Sequence, residues 1–133
     1  MMIGFALLVA HLLGDYLWQN DWIAQKKVFD RDDPKTFSPI ACLLHVFLYT
    51  LACFGCVELV NHALGNEMWP IWAWVIIAIT HYFIDRYRLA SVWMNYSGQK
   101  GFKEHMGPWS IIIVDNTFHL LISFAVALLV LAQ

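Results

Sequence analysis

Residues 109–132 read WSIIIVDNTFHLLISFAVALLVLA. An α-helix needs roughly 20 predominantly apolar residues to cross the hydrocarbon core of a bilayer, and this run exceeds that length. Its two ionisable groups, Asp115 and His119, stand four residues apart. The run therefore reads as a membrane span with a polar face. Three further apolar segments precede it, at about residues 2–22, 39–60 and 68–86. The first is the weakest, because its clean apolar run ends at Leu13 and Gly14–Asp15 comes next. A run that short resembles a signal-peptide core, but Met1–Met2 offers no positive leader and no small-x-small cleavage site comes after it. It is read as a real span with polar residues on its inner face.

Composition points the same way. The chain has 133 residues, 60% of them hydrophobic and only 14% charged. Soluble domains average roughly 45–50% apolar and about 25% charged residues. Disorder is excluded, and a small soluble domain could not hide this much apolar surface. The expected fold is an all-α polytopic membrane protein, a four-transmembrane-helix bundle forming one domain over residues 1–133. A net charge of −2 leaves no basic patch for nucleic acid. Three cysteines, Cys42, Cys53 and Cys56, in apolar surroundings make no disulfide framework.

The boundaries carry their own markers. Ser38–Pro39 reads as an N-cap followed by Pro at the first helical position. Pro70 and Pro108 sit near helix starts, where a missing N–H costs nothing. Gly65–Asn66 reads as a tight turn, and residues 91–107, with Gly98, Gly101 and Gly107, as an interfacial loop. Trp18, Trp22, Trp69, Trp93 and Trp109 fall near the expected interfaces. Phe5, Phe54, Trp72 and Phe124 are expected to seal the outer half.

The eight cations are Lys26, Lys27, Arg31, Lys35, Arg86, Arg88, Lys100 and Lys103. All lie in or beside the first and third connections, and none lies in the second connection or at either terminus. The positive-inside rule then places those two connections in the cytoplasm and both termini outside. The expected location is the inner (cytoplasmic) membrane, crossed several times.

Any chemistry lies within the spans. The first carries His11 and Asp15, the second His45, the third His81 and Asp85, and the fourth Asp115 and His119. Four residues advance a helix about 6 Å and little more than one turn, so each His/Asp pair projects from one face. Counted from the cytoplasmic ends, most of the seven fall in one layer. His11-x3-Asp15 with His45 also matches His81-x3-Asp85 with His119, a weak internal repeat. Buried carboxylates are costly and need partners. Seven nitrogen and oxygen donors exceed one tetrahedral shell and suit one or two divalent ions, zinc, manganese or iron, with a bridging carboxylate. A metal-free hydrogen-bonded network is the alternative. Gln19, Asn116 and Thr117 are weaker candidates for orienting a ligand, with helix-to-helix hydrogen bonding as their plainer role. Glu58, His62 and His105 read as solvated.

The run His11–Leu12–Leu13–Gly14–Asp15, followed by Gln19, Asn20 and Lys26, together with His45, His81–Tyr82–Phe83–Ile84–Asp85 and Asp115…His119, resembles the domain-of-unknown-function 3307 family. These are small membrane proteins of bacteria and their phages, and the resemblance covers essentially the whole chain. It implies the fold and the polar site but no reaction.

Three functions compete. The leading one is a metal-dependent membrane hydrolase acting on a lipid-linked or phosphorylated substrate. In it Asp15, Asp85 and Asp115 bind or bridge metal, and His11, His45, His81 and His119 complete the shell. Arg86, Arg88, Lys100 and Lys103 would steer an anionic headgroup. The second is an ion or proton transport module. The third is a non-catalytic interaction or assembly protein, with the bilayer as partner and a homo-oligomer compatible with the sequence.

Overall fold

The computed structural model describes residues 1–29 and 34–133. Arg31, one of the eight cations, lies outside the described residues. Among the described residues the chain is all-α, with seven α-helices. Helix α1, Met2–Leu12, runs into a single π-helical turn, Leu13–Leu17, closed by the Trp18 N–H donating to the Leu13 carbonyl at 2.8 Å. The first apolar segment ends there and not at Trp22. Asn20 is the reason: its side chain accepts from the Ile23 N–H at 2.9 Å and so starts a separate helix, α2, Asp21–Lys26.

Helix α3, Pro39–Leu64, begins where Ser38 and Pro39 place it, with Ser38 Oγ accepting from the Ala41 N–H. It runs past Val60 to Gly65, whose φ of 68° supplies the left-handed cap that a side chain would resist. Helix α4 covers Ile71–Arg86, with Pro70 as its N-cap residue. Residues 91–107 are not a plain loop. They hold most of α5, Leu89–Tyr96, and all of α6, Lys100–Met106. Lys103 ties the two together by donating to Ser91 Oγ and Asn95 Oδ1. Helix α7, Pro108–Leu131, completes the chain.

The long helices close into a ring: α1 packs on α3, α3 on α4, α4 on α7, and α7 back on α1. Helices α3 and α7 are long and apolar enough to cross a membrane, whereas the Met2–Leu17 segment and α4 are shorter. One end of the ring holds an apolar core that includes Leu7, Val57, Trp74, Ile77 and Val126. Trp69 is buried in this core, stacked on Trp74. Phe5, Phe54 and Phe124 face outward and do not seal the interior; of the four expected residues, Trp72 packs against the core. Small residues such as Ala6, Ala10, Ala52 and Ala73 let the helices approach there, which leaves no interior room for the phenylalanines. Cys53 is likewise a buried packing residue. Glu58 is half-buried and accepts from the Trp69 N–H at 3.0 Å, bracing the start of α4.

A polar cluster lies inside the ring while many large apolar side chains lie outside it. His11, His45, His81, Asp85 and His119 are buried, while Ile40, Phe47, Leu59, Ile71, Leu121 and Leu128 stand exposed.

Candidate metal centre

The centre begins with a close approach between two backbones. A Cβ on Gly14 would lie 2.8 Å from Tyr49 Cδ2 and 3.0 Å from Tyr49 Cα. Only glycine lets the π turn press against α3 at this point. The turn carries the next residue, Asp15, into the ring, with Oδ1 3.2 Å from His45 Nε2 and Oδ2 3.4 Å from His11 Nδ1. Single π turns of this kind recur at functional sites, because the extra residue re-aims the side chains of the turn.

Two buried triads form around this contact, Asp15–His45–His81 and His81–Asp85–His119, each with one ligand atom per residue within 4.8 Å of the others. In the first, His45 Nε2 and His81 Nε2 are 2.9 Å apart, and Asp15 Oδ1 lies 3.2 and 3.7 Å from them. One face of a tetrahedral shell with bonds of 2.0–2.2 Å has edges of about 3.3–3.6 Å. The triad's edges bracket that range, close to the size of a face around a first-row divalent ion. Asp85 joins the two triads. Its Oδ2 lies 2.9 Å from His45 and 3.3 Å from His81, and its Oδ1 lies 3.1 Å from His119. That is the disposition of a bridging carboxylate.

All seven expected residues meet in one connected cluster, but two of them sit outside the triads. Asp115 reaches His119 at 3.4 Å and remains partly exposed. His11 contacts Asp15 and Tyr49, and its Nε2 is buried without a partner. The internal repeat carries over in part: Asp15 to His45, at 3.2 Å, matches Asp85 to His119, at 3.1 Å, whereas His11 stands outside the triads and His81 belongs to both. The rings are held by packing: His81 stacks on Tyr49, at 3.7 Å, and on His119, at 4.0 Å, and Tyr49 and His119 are themselves 5.9 Å apart. Cys42, one turn before His45, is buried but belongs to neither triad.

Two members escape a reading of the sequence. Tyr49 stands four residues after His45, so the spacing that finds the other pairs also reaches it. Lys27 gives no such signal, being one cation among eight beside a span. Its ammonium donates to Asp85 Oδ2 at 2.7 Å and meets His45 Nε2 at 3.0 Å. Burial opposes charge on Lys27, but Asp85 and then Asp15 outweigh it and hold the ammonium above its ordinary value.

The donor set fits a metal ion. His45 Nε2 has Asp15, Asp85, His81 and Lys27 atoms all within 3.2 Å, yet an imidazole nitrogen offers one lone pair or one proton. Two Nε2 atoms 2.9 Å apart, flanked by carboxylate oxygens, are donors of the kind that a divalent cation takes together.

Residues 3–133 match the family described as "Protein of unknown function (DUF3307)". The chain belongs to the DUF3307 family. No curated protein and no solved structure matches it. The resemblance carried by the His/Asp motifs is thereby borne out over nearly the whole length.

In this DUF3307 protein the cluster is reached from one end. A cavity of about 400 Å³ is lined by Asp15, Asp85 and Asp115 together with Gln19, Lys27, Arg88 and Asn116. Gln19 has a buried side-chain oxygen without a partner facing this region. Asn116 donates to the Tyr16 hydroxyl, joining α7 to the π turn, while Thr117 only bonds back to the Ile113 carbonyl of its own helix. His62 and His105 are exposed, as expected, and lie outside the cluster.

Proposed function

We propose that this chain is a metal-dependent hydrolase embedded in the cytoplasmic membrane as one domain of four spans. Its His/Asp centre lies in the cytoplasmic half. The observation that carries the reading is the pair of buried triads sharing His81, whose Asp15 and Asp85 line a cavity. The outward apolar surface supports insertion, since soluble monomers rarely expose contiguous apolar patches beyond a few hundred Å². The Met2–Leu17 segment and α4 would span with help from their flanking residues, which accommodate mismatch at modest cost.

Asp15, His45, His81, Asp85 and His119 would hold one or two ions, with His11 and Asp115 at the edges. Zinc, manganese or iron bound there would polarise a phosphoryl or acyl oxygen and lower the pKa of water. Asp115, partly exposed in the cavity wall, would take the proton of the attacking water. The water oxygen bonds to phosphorus or the acyl carbon as the bond to the leaving oxygen breaks, and the proton passes to the leaving group. The apolar core at the far end of the ring disfavours a through-path for ions. Lys27 favours one other reading, a metal-free network, because its ammonium already neutralises part of the cluster.

Protein purified without chelator should contain stoichiometric metal and should hydrolyse a generic phosphate or carboxylate ester only when loaded. Metal-free protein from such a preparation, with no uptake on titration, would leave the network reading in place.

A further inference from the structure

We propose that the outer seam between α3 and α4 binds one anionic phospholipid of the cytoplasmic leaflet, with an acyl chain in an apolar groove and the phosphate on Arg86. This rests on the membrane reading above and adds a lipid site separate from the metal centre. The groove has a volume of about 250 Å³ and is lined by Leu43 and Val46 of α3 and by Ala78, Ile79, Tyr82 and Phe83 of α4. No charged side chain lines it. Ala78 is the smallest of the six, while Leu43, Ile79 and Phe83 stand exposed around it.

Leu43 comes four residues after the start of α3 at Pro39, and Tyr82 four residues before the end of α4 at Arg86. At 1.5 Å rise per residue the groove begins about 6 Å from that end of the ring. In a bilayer this is the level of acyl chains just beneath their headgroups.

Arg86 stands at the mouth. Its guanidinium donates to the Tyr82 hydroxyl, and its Cζ lies 4.8 Å from the centre of the Phe37 ring and 5.4 Å from those of Tyr82 and Tyr87. Phe37 meets Phe29 edge-on at 5.8 Å, and the Phe29 N–H donates to the Arg86 carbonyl. Aromatic rings and backbone thus hold the cation in place. Among the described residues no carboxylate pairs with it: Asp85, its neighbour in sequence, faces Lys27, His45, His81 and His119 inside the ring. Arg86 does not line the cavity of the metal centre. A guanidinium carries five N–H donors, and Tyr82 takes one. A fixed fork with free donors, set at the mouth of an apolar groove, complements a phosphate that carries acyl chains. A zwitterionic lipid brings its own cation beside the same phosphate and gains less.

The test uses the full chain in detergent, titrated calorimetrically with dioctanoyl phosphatidylglycerol, dioctanoyl phosphatidylcholine and glycerol phosphate. The native chain should bind the anionic lipid about tenfold tighter than the zwitterionic one, and glycerol phosphate more weakly than either. Arg86→Gln should level the two lipids. Lys100→Gln, which removes an exposed cation at the start of α6, should keep the preference. Ala78→Phe, which fills the groove and spares the guanidinium, should weaken both lipids about tenfold. Equal binding of the two lipids by the native chain, a preference that survives Arg86→Gln or is lost as fully in Lys100→Gln, or unchanged affinity in Ala78→Phe overturns the proposal alone. Glycerol phosphate bound as tightly as phosphatidylglycerol makes Arg86 a site for free anions and also overturns it. A native chain that fails to float with mixed phosphatidylglycerol–phosphatidylcholine vesicles overturns the membrane reading beneath it.

Discussion

Asp85 meets four partners with two oxygens: Oδ2 faces Lys27, His45 and His81, and Oδ1 faces His119. Asp115 reaches His119 from the cavity wall and is partly exposed. Removing one partner of a buried charged pair leaves the others uncompensated, at about 3–5 kcal/mol, whereas a solvent-screened pair contributes about 0–1 kcal/mol. Asp85→Ala should therefore lose about 3–5 kcal/mol in denaturant unfolding in detergent, together with its metal. Asp115→Ala should lose under about 1 kcal/mol and keep its metal, yet fail to hydrolyse. Equal stability losses would show that burial does not grade the two carboxylates. At this scale the sequence is most legible where the chemistry repeats. A His and an Asp four apart announce a shared face, and three such pairs plus His45 lead to all seven His and Asp side chains of the cluster. Lys27 is illegible because its role depends on how α2 folds back over Asp85, and no local spacing records that.

The elements divide along the same line. Ser38–Pro39 and Gly65 set the ends of α3 by local chemistry, and both are readable. The glycines of residues 91–107 suggest a loop and mislead. Gly98, at φ 80°, and Gly107, at φ 56°, instead close the two short helices, and Gly101 lies inside α6. The π turn leaves no trace in composition, yet it sets Asp15. Gly14→Ala tests that element. Its Cβ would stand 2.8 Å from the Tyr49 ring and 3.0 Å from Tyr49 Cα, and the second of these is backbone that cannot swing away. Overpacking of this kind costs about 1–3 kcal/mol. Gly14→Ala should unfold earlier by that amount and bind metal more weakly, because the turn carrying Asp15 is pushed off α3. Gly4→Ala, where nothing lies within 4 Å, should be neutral or more stable by about 0.5–1 kcal/mol. Indistinguishable melts for the two variants would mean that the close approach carries no load.

For the whole molecule, the apolar segments locate the four long helices, but their packing order needs the fold. The ring places the first connection against the end of α4, where the Phe29 N–H donates to the Arg86 carbonyl at 2.9 Å. At the opposite end, Glu58 accepts from the Trp69 N–H. The two basic connections thus meet at one end of the ring and the turn without Lys or Arg lies at the other, so the charge asymmetry along the chain becomes an asymmetry in space. A bilayer that retains Lys and Arg on its cytoplasmic side admits one orientation of such a molecule. A phosphatase reporter that is active only outside the cytoplasm should be active when fused at Gln133 and silent when inserted at Gly98. A fluorescent reporter restricted to the cytoplasm should behave in reverse. Phosphatase silence at Gln133 with activity at Gly98 would invert the orientation and put the cavity, with Lys27 and Arg88 in its wall, on the outer face. The substrate would then have to be sought there, since the cavity opens beside the basic connections whichever way the ring is inserted.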